Sequence, residues 1–194
     1  MSTDSADHGD RATLLWLPVG AGGHVVVHTS AWWERWRAAV ERRPPAPLFH
    51  AALEFRLDGV PSVMEMAPAW GVGSGDQGVL ATGPVGLAWL GRSRFFRYEI
   101  RCWAHGVIPD REWAVGDPID LTGDAETIAG MLASVGSAPT LTWGQTVPDT
   151  GDMWNSNSLV SWVLATAGLP TRHEPPNGGR APGWAAGEHV ARRA

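Results

Sequence analysis

The chain has 194 residues, a formal net charge of −5 and a hydrophobic fraction of 44%. That length fits one domain with a real core. The acidic balance lacks the basic footprint of a nucleic-acid binder, and no apolar run approaches the roughly 20 residues of a membrane-spanning helix. A single cysteine excludes a disulfide framework or a cysteine-rich zinc site within the chain. The polar, acidic start, Met1 to Asp10, has neither the basic nor the apolar region of a secretory signal. The expectation is a soluble, cytoplasmic protein. Its 15 basic residues are all arginine, which leaves no lysine for Schiff-base chemistry, and 12 residues are tryptophan. Average usage gives about two or three tryptophans, so that excess needs an account.

Residues 1–12 read as a disordered lead. Leu14 to Val19 and His24 to Thr29 are short apolar runs around Gly20-Ala21-Gly22-Gly23 and predict a hairpin. Ser30 then caps an expected helix that carries Trp32, Trp33, Trp36 and Val40 on one stripe and ends at Pro44. The clearest strand pair follows. Phe49 to Leu57 alternates, Asp58-Gly59 is a strong hairpin dipeptide, and Val60 to Ala67 returns. Residues 68–78 read as a glycine-rich loop, Val79 to Leu90 has no clear type, and Phe95 to Ala104 reads as a strand. After a loop over 105–121, Asp124 caps a helix running to about Val135. Asn157 to Ala167 forms an apolar helix closed by Gly168 and Pro170. The domain is expected to span 13–170, with an irregular tail over 171–194 pinned by Trp184.

Several motifs carry no chemistry. The cluster Gly20 to Gly23 precedes a strand rather than a helix, and Gly71 to Gly75 lacks a lysine, so neither cradles phosphate. On a strand His24 and His28 would stand roughly 13 Å apart, too far to share a metal. Cys102 lies inside an expected strand and reads as a small buried hydrophobe. No metal and no cofactor are expected.

Two places are richer. A two-residue turn at Asp58-Gly59 pairs Leu57 with Val60, and hence Ala52 with Glu65 and His50 with Ala67. His50 and Glu65 then lie diagonally on one face of the hairpin, with Cβ atoms about 7–8 Å apart. A carboxylate so placed orients an imidazole. The same face also carries Glu54 and Arg56, so a plain solvated surface is the alternative. The second place is Trp154-Asn155-Ser156-Asn157-Ser158, where a polar cluster opens the apolar helix. Such a cluster caps the helix, and it also sets a hydroxyl beside unpaired N–H groups able to hold an oxyanion.

Together these features resemble the circularly permuted papain-fold proteins, the NlpC-type peptidase and lecithin:retinol acyltransferase superfamily. The acyltransferase group opens its helix with Asn-Cys-Glu-His-Phe-Val, and Asn155-Ser156-Asn157-Ser158-Leu159-Val160 falls on that pattern. His50, in Leu48-Phe49-His50-Ala51-Ala52-Leu53, resembles the family's strand-opening histidine, and Glu65 its third polar residue. Over most of its length the chain also resembles a group of actinobacterial proteins that share stretches such as Gly91-Arg92-Ser93-Arg94 and Met153 to Ser158.

The resemblance implies an α+β, papain-like fold with an antiparallel sheet packed against a C-terminal helix. It implies an amide or ester hydrolase or acyltransferase in which Ser156 replaces the cysteine nucleophile. His50 would be its base, Glu65 the orienting group, and Asn155 and Asn157 oxyanion or positioning residues. The substrate would be a small molecule, a peptide or a lipid-like ester held in a groove lined by Trp154 and Trp162. The alternatives are a catalytically inactive binding module on the same fold, for a peptide or lipid-like ligand, and a purely structural protein.

Overall fold

The computed structural model describes residues 9–20, 34, 38–39, 42–69, 78–108 and 110–193. The expected strand at His24 to Thr29 lies outside the described residues, as does most of the helix with Trp32, Trp33 and Trp36. The architecture is α+β. Six antiparallel strands are β1 (Arg11–Pro18), β2 (Phe49–Leu57), β3 (Val60–Pro68), β4 (Val79–Pro84), β5 (Arg97–Ala104) and β6 (Ile119–Thr122). They form one sheet in the order β4-β5-β3-β2-β1-β6. Three helices, α1 (Ala125–Val135), α2 (Ser156–Thr166) and α3 (Trp184–Ala191), complete the described elements.

The β2–β3 hairpin follows from its turn. Asp58 and Gly59 both take positive φ, 51° and 75°, the geometry whose twist matches the flanking strands. Leu57 pairs with Val60 and the ladder runs on to Leu53 with Met64. There the ladder ends, although both strands continue. β3 goes on to Pro68 against β5, and β2 back to Phe49 against β1. The two strands therefore part beyond Leu53, and β2 is left with backbone groups to satisfy.

Alternation along the strands separates two faces. One presents Leu14, Trp16, Ala51, Leu53, Phe55, Met64, Met66, Tyr98 and Ile100, all buried against α1 and α2. Ile128, Met131 and Val135 from α1, and Leu159, Val160, Val163 and Leu164 from α2, close this core. The other face holds a smaller cluster of Leu15, Leu17, Ala52, Val63 and Ile108.

The segment 171–194 departs from the expectation of an irregular tail, because it contains α3, which lies on α2. Contact is so close that a Cβ on Gly187 would stand 2.0 Å from the Ser158 carbonyl oxygen. Ser161 Oγ donates to the Trp184 carbonyl at 2.8 Å, and the Trp184 indole donates to the Thr171 carbonyl at 2.8 Å while its ring meets Trp16. β1 likewise begins at Arg11, inside the stretch expected to be disordered. Short 3-10 turns at Ala88–Arg92 and Arg94–Phe96 occupy the stretch that carried no clear pattern and the start of the expected Phe95 strand. β6 lies within the expected 105–121 loop and just beyond it. No helix among the described residues is long and apolar enough to cross a membrane.

Where β2 and β3 part, α2 enters with its first turn. The Ala51 N–H donates to Asn157 Oδ1 at 2.7 Å, and Asn157 Nδ2 donates to the Phe49 carbonyl at 3.0 Å. One side-chain amide thus supplies two of the bonds that a neighbouring strand would have made. The Phe49 N–H donates to the Arg180 carbonyl at 2.8 Å. Replacing Asn157 by alanine strands two buried backbone groups, so urea unfolding is expected to show a loss of about 2–4 kcal/mol. A loss below about 0.5 kcal/mol would show that the sheet edge finds other partners.

Candidate functional site

The first turn of α2 is built by reciprocal capping. Asn155 is the N-cap, and its Oδ1 accepts from the N–H of Asn157 at 2.9 Å and of Ser158 at 3.2 Å. The Asn155 N–H donates back to Ser158 Oγ at 3.0 Å, which completes a capping box. Asn155 Nδ2 and Asn157 Nδ2 both donate to the Pro182 carbonyl, at 2.8 Å and 2.9 Å. Ser158 Oγ lies 2.7 Å from the Gly183 carbonyl, to which it donates. Gly183 itself takes φ 96°, and a Cβ there would stand 2.0 Å from Asn155 Oδ1. The loop before α3 therefore clamps the start of α2, which makes Pro182 and Gly183 part of the site's frame. The Pro-Gly dipeptide ahead of Trp184 was the sequence signal for that turn.

Ser156 is the first residue of α2, and its Oγ lies 2.9 Å from His50 Nδ1. The two residues are 106 positions apart in the chain. Both are half-buried. With the hydroxyl donating, Nδ1 is the acceptor and the ring carries its proton on Nε2. Burial pushes His50 down from its ordinary 6.5 to about 4, because a charged ring would lose its water. At neutral pH His50 is therefore an uncharged acceptor aimed at a hydroxyl.

Asn157 Nδ2 spends both of its hydrogens, on the Phe49 and Pro182 carbonyls, whereas Asn155 Nδ2 donates only to Pro182. Both residues position the helix start, and Asn155 keeps one side-chain N–H without a partner among the described residues. Among the described residues, no bond occupies the Ser156 backbone N–H, the first of the helix. It sits on the same residue as the hydroxyl, at the positive end of the helix dipole.

Glu65 is placed otherwise. Its strand pairs it with Arg101 of β5, and among the described residues it makes no hydrogen bond to His50. Burial raises the Glu65 carboxyl, Arg101 opposes that rise and Asp110 adds to it. The ladder that would have set Glu65 opposite Ala52 stops one pair earlier. Among the described residues, the His50 Nε2 proton has no acceptor.

Trp154 and Trp162 were expected to line a groove, and the structure buries both in the main core, at 0% and 3% exposure. Trp162 belongs to a helix that is buried nearly all round and Trp154 lies two residues ahead of that helix, and packing claims both rings. Cys102 is half-buried and its thiol is pushed up by burial, the environment of an inert thiol. Among the described residues, no cluster of three or more His, Cys, Asp or Glu side chains could hold a metal ion. Comparison of the chain with protein-family models, with curated proteins and with solved structures gave no match.

The low His50 value has a consequence for stability. An unfolded chain protonates His50 below its ordinary 6.5, whereas the folded chain resists until about 4. The unfolded state therefore binds more protons in that window, so stability falls as pH drops through it. The loss attributable to His50 approaches about 3 kcal/mol at the acid end. Denaturant unfolding of the wild type and His50→Gln between about pH 7 and pH 4 is expected to show a flatter dependence for the variant. Parallel curves would contradict the half-buried, neutral ring.

Proposed function

We propose that the protein is a serine-dependent, papain-like hydrolase or acyltransferase acting on an amide or ester carbonyl. The observation that carries this reading is the 2.9 Å approach of Ser156 Oγ to His50 Nδ1 at a helix start. His50 accepts the hydroxyl proton as Oγ attacks the carbonyl carbon. The carbonyl oxygen becomes an oxyanion beside the Ser156 N–H and the helix dipole. His50 then returns the proton to the departing amine or alcohol, leaving an acyl ester on Ser156. Water, or an acceptor hydroxyl or amine, releases that ester by the same steps in reverse.

The permuted papain-like arrangement is part of the proposal. Its support is a histidine opening a central strand, with an Asn-Ser pair opening the helix wedged beside it. A cysteine thiol ionises near pH 8.5, whereas a serine hydroxyl depends wholly on its base. His50, held near 4, accepts that proton against a larger barrier than an exposed imidazole does.

A second reading, a papain-like binding module for a peptide or lipid-like ligand, is favoured by one specific observation. Among the described residues, His50 makes no hydrogen bond to a carboxylate, so a transient positive charge on the ring has little support.

A fluorophosphonate probe separates the two. The wild type is expected to label at Ser156, with labelling abolished in Ser156→Ala and reduced at least about 100-fold in His50→Ala. Equal labelling of wild type and Ser156→Ala would remove Ser156 as nucleophile. No labelling at all, with a ligand-induced change in tryptophan fluorescence that survives in Ser156→Ala, would favour the binding module.

A further inference from the structure

At the far edge of the sheet from β6, the chain between β4 and β5 exposes an unusual combination of side chains. Trp89 is 69% exposed, Phe95 68%, Leu87 47% and Phe96 44%. These are large apolar groups of the kind that folding normally hides. They do not hang from a loose loop. The two 3-10 turns are tied by bonds from Leu90 N–H to Leu87, Ser93 N–H to Leu90 and Phe96 N–H to Ser93. The Val85 N–H donates to the Phe96 carbonyl at 2.8 Å and the Gly86 N–H to the Trp143 carbonyl at 2.9 Å, which fixes the segment to the body of the protein. Gly91 lies so close to Pro84 that a Cβ would come within 2.7 Å of the proline ring.

Charge marks the same segment. Arg92 and Arg94 are exposed among the aromatics, and Arg97 follows. Between Asp76 and Glu99 there is no acidic residue, in a chain whose net charge is −5. Among the described residues neither Arg92 nor Arg94 has an acidic partner. The patch is thus locally basic on an acidic protein. Its exposed rings and arginines make an apolar and basic ridge along Leu87 to Arg97.

We propose that this ridge, Leu87 to Arg97, docks the protein on an anionic lipid surface. Tryptophan and phenylalanine rings enter the headgroup region, where an aromatic body finds apolar surroundings. Arg92 and Arg94 meet the negative headgroups, and their attraction is screened by salt. The apolar and basic groups act together, since neither alone gives durable attachment to a bilayer. The proposal rests on this ridge alone and stands whether or not Ser156 is a nucleophile.

The test is co-sedimentation of the full chain with vesicles of phosphatidylcholine alone and with an equal mixture of phosphatidylcholine and phosphatidylserine. Binding is expected to the mixture, weakly or not at all to phosphatidylcholine alone, and to fall as salt rises. Trp89→Ala with Phe95→Ala, and separately Arg92→Glu with Arg94→Glu, are each expected to lower partitioning by about tenfold or more. All four positions are solvent-exposed, so unfolding curves of both variants should overlay the wild type. The proposal is overturned if the wild type binds neither vesicle, or if the variants bind as the wild type does. It is equally overturned if the same substitutions instead abolish a concentration-dependent self-association, which would make the ridge a protein interface.

Discussion

A single side-chain amide holds the centre of this molecule together. β2 and β3 begin as a hairpin and then separate, and an antiparallel sheet cannot open in its middle without leaving N–H and C=O groups stranded. Asn157 resolves that conflict by giving β2 both an acceptor and a donor. Because Asn157 is in the first turn of α2, the repair also fixes where the helix starts relative to the strand. Ser156 precedes it by one residue and His50 lies between the two backbone groups it serves. The meeting of hydroxyl and imidazole is therefore a by-product of sheet repair, enforced by bonds that the fold needs for its own stability.

The same constraint governs the electrostatics. A helix start wedged into a sheet must be capped, and most of the side-chain amide groups at hand are spent on capping, on β2 or on the Pro182 carbonyl. What remains for chemistry is small: one hydroxyl, one neutral ring, one N–H of the Asn155 amide and one backbone N–H at the positive end of a helix. The wedge also half-buries His50, so the ring is held neutral at the cost of basicity. Chemistry at such a site has to draw on pre-organisation rather than on a strong base.

How much of this could be read from the chain depends on the range of the determining contacts. The Asp58-Gly59 turn is local, and the register read from it holds as far as Leu53 with Met64. Asp124 as a cap, its N–H partner Thr127 and the stripe Ile128, Met131 and Val135 are equally local. The end of the β2–β3 ladder is not. It is imposed by Asn157, more than a hundred residues away, so the Glu65 position extrapolated from the turn overran the point where the strands part. Trp154 and Trp162 illustrate a different limit. Sequence spacing shows that they flank Ser156, but only the tertiary packing around α2 and the residues before it puts both rings in the core. Helix α3 was hidden by composition, since the glycines and prolines before it suggested an irregular tail, while Gly187 in fact permits the close contact with α2.

At the centre of the site His50 is a half-buried, neutral ring receiving the Ser156 hydroxyl at Nδ1. Nitrogen-resolved NMR of the imidazole across an acid titration tests it most directly. The expected result is the Nε2–H form of His50 with a midpoint near 4, and a changed Nδ1 shift in Ser156→Ala. A midpoint near the ordinary 6.5, with a ring unresponsive to loss of the Ser156 hydroxyl, would contradict it.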